Sequence, residues 1–173
     1  MTNRRQALCG LLAGPLLALP LKAEPMRPIA DFSWRYAADT VMGGVSAGRG
    51  WVEDGVLRLT GTVSTANNGG FIQVRTDLPD GLSDTILHLR VRGNGERYFV
   101  HLRSVQSTRP WMSYRAEFPT TADWTDITLP LTAFTPSRDG MPAQIAAEDV
   151  RSLGIVAYGR DHEADVSVSH ISV

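Results

Sequence analysis

The chain has 173 residues, with 17 Lys and Arg against 18 Asp and Glu, one cysteine and a formal net charge of −1. A near-neutral chain without a block of like charges excludes most proteins that hold nucleic acid or anionic membranes electrostatically. A single cysteine also excludes a scaffold built on internal disulfides.

The first residues resemble an export signal rather than part of a fold. Arg4 and Arg5 precede an uncharged stretch over 6–21, and Ala23 stands before a polar segment. A basic start, a short apolar run and a small residue are typical of a secretory signal, and this run is too short to span a bilayer. We therefore predict a signal peptide over 1–23 and a periplasmic or secreted location. The arginine pair also resembles a twin-arginine motif, which leaves two export routes open.

Removal of that signal leaves a predicted linker over 24–30 and one domain over 31–173. The only cysteine, Cys9, and the only lysine, Lys22, go with the signal. The exported chain keeps 14 arginines against 18 acidic residues, or 14 − 18 = −4. We therefore expect no nucleic-acid partner, no thiol nucleophile and no stable membrane insertion of the exported domain.

Short alternating apolar runs, separated by Gly, Pro, Asn and Asp, fill the predicted domain. Strands are predicted over 56–63, 71–75, 85–92, 97–103, 111–118, 124–130, 152–158 and 164–173. Many short strands at this spacing are typical of an all-β sandwich or jelly roll. Only 143–150 is predicted as a short helix. A change of parity along the last strand predicts a β-bulge around Ser169-His170.

The dipeptide Asn94-Gly95 predicts a tight hairpin, because both central residues of a type I′ turn need positive φ. The hairpin would pair apolar residues on one face, namely Val91 with Tyr98, Leu89 with Val100, and Leu87 with Leu102. Its other face would pair Arg92 with Arg97, Arg90 with Phe99, and His88 with His101. The first face is predicted to be core.

The second face is a candidate binding surface. Together with the next strand it comprises His88, Arg90, Arg92, Arg97, Phe99, His101, Trp111 and Arg115. Like charges opposite each other destabilise a sheet, which favours an acidic neighbour or an anionic partner. Three interpretations stay open: a solvated outer face, a binding surface, and a metal site on His88 and His101, for which no third ligand is evident.

Two glycine-rich segments are candidate functional loops. The first glycine loop is Asp39-Thr40-Val41-Met42-Gly43-Gly44-Val45-Ser46, and the second glycine loop is Asn67-Asn68-Gly69-Gly70-Phe71. Paired glycines permit positive φ and close backbone approach, and we expect strained φ to limit substitution at Gly44. Asp39 and Ser46 can fix a loop through backbone amides. Neither loop matches a phosphate cradle, so no cofactor is expected. A structural role and a ligand-contacting role both stay open.

These segments carry a family resemblance. The pattern comprises Trp34, the two glycine loops, Arg75, the run 89–95 with Tyr98, Tyr114, Phe118, Trp124, and 129–131 with Phe134 and Gly140. It resembles the complex I intermediate-associated protein 30 family over about 31–173. The resemblance implies a galactose-binding-like jelly roll and marks a set of signature positions for binding, namely Asp39, Met42, Gly43, Gly44, Ser46, Asn67, Asn68, Gly69, Gly70 and Arg75. It implies no catalytic residues. No metal is expected, because no segment resembles a motif with ligand spacing.

The best-known members of that family are mitochondrial chaperones for assembly of respiratory NADH:ubiquinone oxidoreductase. The predicted signal departs from this pattern, because an exported protein would not meet the cytoplasmic arm of bacterial complex I. The favoured hypothesis is therefore a non-enzymatic assembly or chaperone-like module with another protein client.

The alternative is a periplasmic carbohydrate-binding module, with Trp51 or Trp111 as a platform and Asn67 and Asn68 as hydrogen-bonding groups. A hydrolase is disfavoured because the exported chain has no cysteine nucleophile and no His-x-x-x-His pair.

Overall fold

The computed structural model describes residues 26–173. Its strands are β1 (Arg27–Pro28), β2 (Arg35–Ala38), β3 (Ala47–Glu53), β4 (Val56–Val63), β5 (Phe71–Asp77), β6 (Ile86–Gly93), β7 (Arg97–Ser104), β8 (Tyr114–Pro119), β9 (Thr125–Pro130), β10 (Thr135–Pro136), β11 (Val150–Tyr158) and β12 (His162–Ile171). They form two antiparallel sheets. Sheet A has the order β3-β4-β12-β6-β9, with β1 also beside β12, and sheet B has the order β10-β8-β7-β11-β5-β2.

Period-two alternation builds the core between the two sheets, as the sequence predicts. In β4, Leu57, Leu59 and Val63 are each 1% exposed, while the residues between them are more accessible. Alternate residues of every long strand point to the same face, so one face of each sheet becomes continuous apolar surface. The predicted jelly-roll sandwich is confirmed.

The folded region begins earlier than the sequence indicates. Arg27 and Pro28 pair with Ile171 and His170, and Ile29 is fully buried. The predicted linker over 24–30 is therefore wrong from Arg27 onward. The predicted signal peptide over 1–23 lies outside the described residues.

The predicted hairpin at Asn94-Gly95 is wrong. β6 pairs with β9 and β12 in sheet A, whereas β7 pairs with β8 and β11 in sheet B. Gly95 has φ 89°, but Asn94 does not share the positive φ that a type I′ turn requires. The Asn94 side chain instead accepts a bond from the Tyr98 hydroxyl (2.8 Å) and donates to the Glu163 carbonyl (2.8 Å), which ties the crossover to both sheets.

Two smaller predictions have different outcomes. The β12–β6 register shifts between Val168 and His170, which confirms the bulge and keeps Val168 and Ile171 buried. The predicted helix over 143–150 is reduced to a 3-10 turn at Ala147–Asp149. Among residues 26–173 we find no helix with the length and apolar character needed to cross a membrane.

Candidate functional site

Asp39 connects the two glycine loops. It begins a 3-10 turn, Asp39–Met42, directly after β2, and its side chain is fully buried. One carboxylate oxygen accepts the Ser46 amide (3.0 Å), and the other accepts the Ser46 hydroxyl (2.5 Å) together with the Gly70 and Phe71 amides (2.5 and 3.2 Å). Four donors from two loops therefore converge on one carboxylate.

These donors also explain how Asp39 stays charged. Burial by itself raises the pKa of a carboxyl group. Here the hydrogen bonds from the Gly70 amide and the Ser46 hydroxyl, with those from the Phe71 and Ser46 amides, outweigh burial and hold the pKa of Asp39 below its usual value. A buried carboxylate whose bonds are all made is a structural device rather than a proton-transfer group.

One glycine of each loop, Gly44 in the first and Gly69 in the second, is required by close packing against this carboxylate. Gly43 ends the turn with φ 90°, but a β-carbon at Gly43 would meet nothing, whereas one at Gly44 or Gly69 would overlap the Asp39 side chain. Gly44 is absent from the positions with positive φ. The expectation that strained φ limits substitution at Gly44 is therefore wrong, and close packing is the reason.

The rest of the second glycine loop lies at the surface. Asn67 and Asn68 adopt φ of 56° and 58°, which asparagine tolerates better than most residues, and both side chains are exposed. The Thr65 amide and hydroxyl bond to Asp161 (2.6 and 2.7 Å), which fixes the start of the loop against the β11–β12 connection.

The first glycine loop presents apolar side chains to solvent. Val41 is 80% exposed, Met42 62% and Val45 52%. Met42 is among the predicted binding positions, whereas Val41 and Val45 are not. The adjacent apolar residues Val41 and Met42 stand directly before two glycines in the sequence. A segment with special backbone conformations does not alternate between two faces as a strand does, so this pattern could have indicated that the apolar side chains are exposed.

The predicted binding face does not exist as one surface. His88, Arg90 and Arg92 lie on β6 in sheet A, whereas a second group lies on β7 and β8 in sheet B, namely Arg97, Phe99, His101 and Arg115. Trp111 precedes β8 in a loop and is 53% exposed. A shared metal site on His88 and His101 is ruled out, because the two sheets separate them. In the part of the chain that the structure describes, no three His, Cys, Asp or Glu side chains are grouped to hold a metal.

On sheet A the cations already have partners. Arg90 forms an ion pair with Asp126 (3.4 Å), and the Arg92 guanidinium lies 4.8 Å from the centre of the Trp124 ring. The arginines of this outer surface are therefore largely paired with groups of the same sheet.

On sheet B an aromatic group surrounds Arg115. Its guanidinium lies 4.6 Å from the centre of the Tyr158 ring and donates to the Tyr158 hydroxyl (2.9 Å). The rings of Phe99 and His101 meet Tyr158 edge-on, at centroid distances of 5.8 and 5.5 Å. The sequence analysis missed Tyr158, although its parity with Ser152, Gly154 and Val156 on β11 would have placed it on this face.

His101 is the unsatisfied member of this group. Its Nε2 is buried and has no hydrogen-bond partner among the described residues. Burial and then the charge of Arg115 lower the pKa of His101 to about 3. The ring is therefore neutral in any physiological compartment.

A separate cleft of about 520 Å³ lies beside the β5–β6 connection and the start of the domain. Its two arginines pair with carboxylates of the lining, Arg27 with Asp31 (3.6 Å) and Arg35 with Asp77 (2.7 Å). Asp80 lines the same cleft without an ion pair among the described residues, so the cleft offers no unpaired cation.

Comparison with solved structures identifies relatives of the fold. The family 11 carbohydrate-binding module of the cellulosomal cellulase Lic26A-Cel5E of Clostridium thermocellum is 15% identical with a TM-score of 0.62, and the match covers 87% of this chain and 94% of that one. The same organism's family 11 module in complex with a β-1,3-1,4-mixed-linked tetrasaccharide is 14% identical with a TM-score of 0.60, over 86% and 93%. Likenesses at this identity show the fold alone.

No curated protein sequence matches the chain significantly. The model of one protein family, complex I intermediate-associated protein 30 (CIA30), matches residues 26–168. That range contains both glycine loops and nearly all of the two sheets. The chain belongs to the complex I intermediate-associated protein 30 family.

Proposed function

We propose that this chain is an exported, non-enzymatic binding module that holds a protein client in the manner of an assembly factor. The first glycine loop forms the contact. One observation carries the proposal: Val41, Met42 and Val45 are 80%, 62% and 52% exposed on a loop that the buried Asp39 holds in place.

The loop has the physical properties of a protein contact. Burial of exposed apolar side chains against a partner favours binding by about 25 cal/mol for each Å² of apolar surface removed from water. A loop that is already ordered loses less conformational entropy on binding. Methionine adapts its shape to irregular apolar surfaces, so Met42 suits a central contact position.

Family membership supports the same direction. The family is described as associated with an intermediate of complex I, which is an association between proteins. The predicted signal over 1–23 separates this chain from the cytoplasmic arm of complex I, so we propose a different client. Asp39, Ser46, Gly69 and Gly70 serve that client indirectly, by holding the loop.

The experiment places a photo-crosslinking amino acid at position 42 and, as a matched control, at position 52. Val52 is 39% exposed and lies on β3 in sheet A, at the end of that strand away from the first glycine loop. The expected result is one dominant adduct from position 42, formed in the native compartment and absent from position 52. The partner, once identified, is then titrated against purified protein.

In that titration Met42→Ser with Val41→Ser should weaken binding at least tenfold, while Val52→Ser should leave it unchanged. Equal binding by both variants would refute the contact role of the loop. Identical adducts from positions 42 and 52 would do the same.

A carbohydrate is the second candidate ligand, favoured by the exposed ring of Trp111 and by the fold shared with carbohydrate-binding modules. Against it, guanidinium groups already lie over rings that could serve as sugar platforms: Arg115 over Tyr158 (4.6 Å) and Arg49 over Trp51 (4.2 Å). A saturating β-1,3-1,4-linked tetrasaccharide should raise the melting temperature if sugar binds the native state. Under our proposal it leaves that temperature unchanged.

A further inference from the structure

One row of residues crosses the outer face of sheet B with a concentration of positive charge. Cα pairing across six strands aligns Thr135, Arg115, His101, Gly154, Arg75 and Arg35. Three of these six are arginines, and none is acidic. Gly154 contributes no side chain, which leaves a gap in the row between His101 and Arg75.

The carboxylates of this face are already committed to other arginines. Asp77 pairs with Arg35 (2.7 Å), and Glu117 pairs with Arg97 (3.0 Å). Within residues 26–173, no carboxylate forms an ion pair with Arg75, Arg103 or Arg115. Three half-buried guanidinium groups therefore have no carboxylate partner, in a chain that is acidic once the predicted signal is removed. Their partners within the chain are neutral: Arg103 donates to the Ser107 and Arg109 carbonyls, and Arg115 lies over the Tyr158 ring.

Neighbouring arginines on this face repel each other in the folded state. Arg35 and Arg75 are direct cross-strand partners, an arrangement that destabilises a sheet. Burial and the charge of Arg75 both lower the pKa of Arg103. This arrangement lowers the stability of the fold. We therefore expect an anion from another molecule to neutralise these charges.

Arg115 is oriented for such a ligand. Its Nε donates to the Ser113 hydroxyl (3.2 Å) and its Nη1 to the Tyr158 hydroxyl (2.9 Å), so the planar group is held on the sheet rather than free in solvent. Beside it, the buried Nε2 of His101 has no partner among the described residues. A pre-oriented guanidinium binds a carboxylate at a smaller entropic cost than a mobile one.

Spacing favours an extended peptide as the carrier of the anions. Arg75 and Arg115 are three strands apart, about 14 Å at roughly 4.8 Å per strand. An extended chain advances about 3.4 Å per residue, so acidic side chains at positions i and i+4 reach both. The guanidinium over Tyr158 makes stacking of a sugar on that ring less favourable.

We infer that the outer face of sheet B, through Arg75, Arg103 and Arg115, binds an extended acidic segment of a protein. This inference rests on the proposed function, since the segment belongs to a client. It adds a second contact to the first glycine loop and assigns that contact its chemistry.

The test uses a twelve-residue peptide of alternating Glu and Ser, with a Lys and Ser peptide of the same length as the charge control. Isothermal titration at low salt should show binding of the Glu peptide only, weakening steadily as salt rises. Arg75→Gln with Arg115→Gln should weaken the affinity at least tenfold. The matched control Arg90→Gln, on sheet A, should change it less than twofold.

Absence of Glu-peptide binding, or equal binding by the double variant, would overturn the inference. Binding of oligogalacturonate without binding of the Glu peptide would also overturn it, in favour of an acidic glycan. The crosslink from position 42 does not involve this face. Its loss with intact peptide binding would refute the glycine-loop contact alone, and the reverse result would refute the acidic-segment contact alone.

Discussion

The Asp39 site and the outer face of sheet B differ in whether their buried polar groups have hydrogen-bond or charge partners. At Asp39 a fully buried carboxylate receives four hydrogen bonds, and its charge is satisfied within the chain. On sheet B, His101 Nε2 is buried without a partner, and Arg75 has an arginine opposite it. The first arrangement stabilises the fold, whereas the second costs stability, which binding of the proposed acidic segment would offset.

The largest expected effect is the loss of the Asp39 carboxylate. Asp39→Ala leaves the buried amides of Gly70 and Ser46 without an acceptor, so the free energy of unfolding should fall by about 3–5 kcal/mol. Urea denaturation followed by circular dichroism measures this. The control is Asp126→Ala, whose exposed ion pair should cost less than about 1 kcal/mol. Equal losses in the two variants would show that Asp39 is not a central structural group.

The next effect separates the two neighbouring glycines. Gly44→Ala places a methyl group against the Asp39 carboxylate and should cost about 2–3 kcal/mol, while Gly43→Ala has open space and should cost about 1 kcal/mol through its φ of 90°. In an Asp39→Ala background the cost of Gly44→Ala should fall, because the carboxylate is gone, but should not vanish, because the β-carbon of residue 39 would still lie 2.7 Å from the new methyl group. Simple additivity in that cycle would contradict the packing explanation.

His101 and Asp39 lose their contributions to the stability of the fold at different pH values. The pKa of His101 is about 3 when folded and near 6.5 when unfolded, so the unfolded chain binds the extra proton between these values. Stability at His101 is therefore present above pH 6.5 and is lost as pH falls toward 3. Asp39 acts lower, because its folded pKa is below 3.8 and its contribution is lost only as pH falls below about 4.

His101→Gln should therefore make the fall in stability between pH 6.5 and 4.5 shallower, by up to about 2 kcal/mol. Denaturation curves at half-unit pH intervals would show the change. A parallel pair of curves for wild type and variant would mean that the His101 ring protonates freely in the folded protein.

The smallest expected effect has the opposite sign. The charge of Arg75 faces Arg35 and repels Arg103. Arg75→Gln removes that charge, so it should stabilise the fold by a few tenths of a kcal/mol up to about 1 kcal/mol. Arg97→Gln, which breaks an ion pair with Glu117, should not stabilise it. A clear loss of stability in Arg75→Gln would show that this arginine supports the fold, which would weaken the case for a ligand on sheet B.

Much of the strand pattern and the family membership were predictable from the sequence. The run over 56–63 predicts β4 at both ends, and the parity change in the last strand predicts its bulge. β2 and β3 were missed. β3 is largely exposed and contains Gly48 and Gly50, so it lacks the apolar alternation that marks a strand.

Local sequence determined which face of each strand is buried, because side-chain alternation is a property of the extended backbone itself. It also indicated that Asp39 and Ser46 can fix the first glycine loop through nearby backbone amides. That the same carboxylate binds the Gly70 and Phe71 amides of the second glycine loop was decided only by the tertiary structure. Which strand pairs with which was decided only by the tertiary structure. Asn94-Gly95 is compatible with a hairpin or a crossover, and bonds from Tyr98 and to Glu163, 69 residues away, select the crossover. That choice divided the predicted arginine face between two sheets and brought Tyr158 to Arg115, because pairing depends on contacts that are distant along the chain.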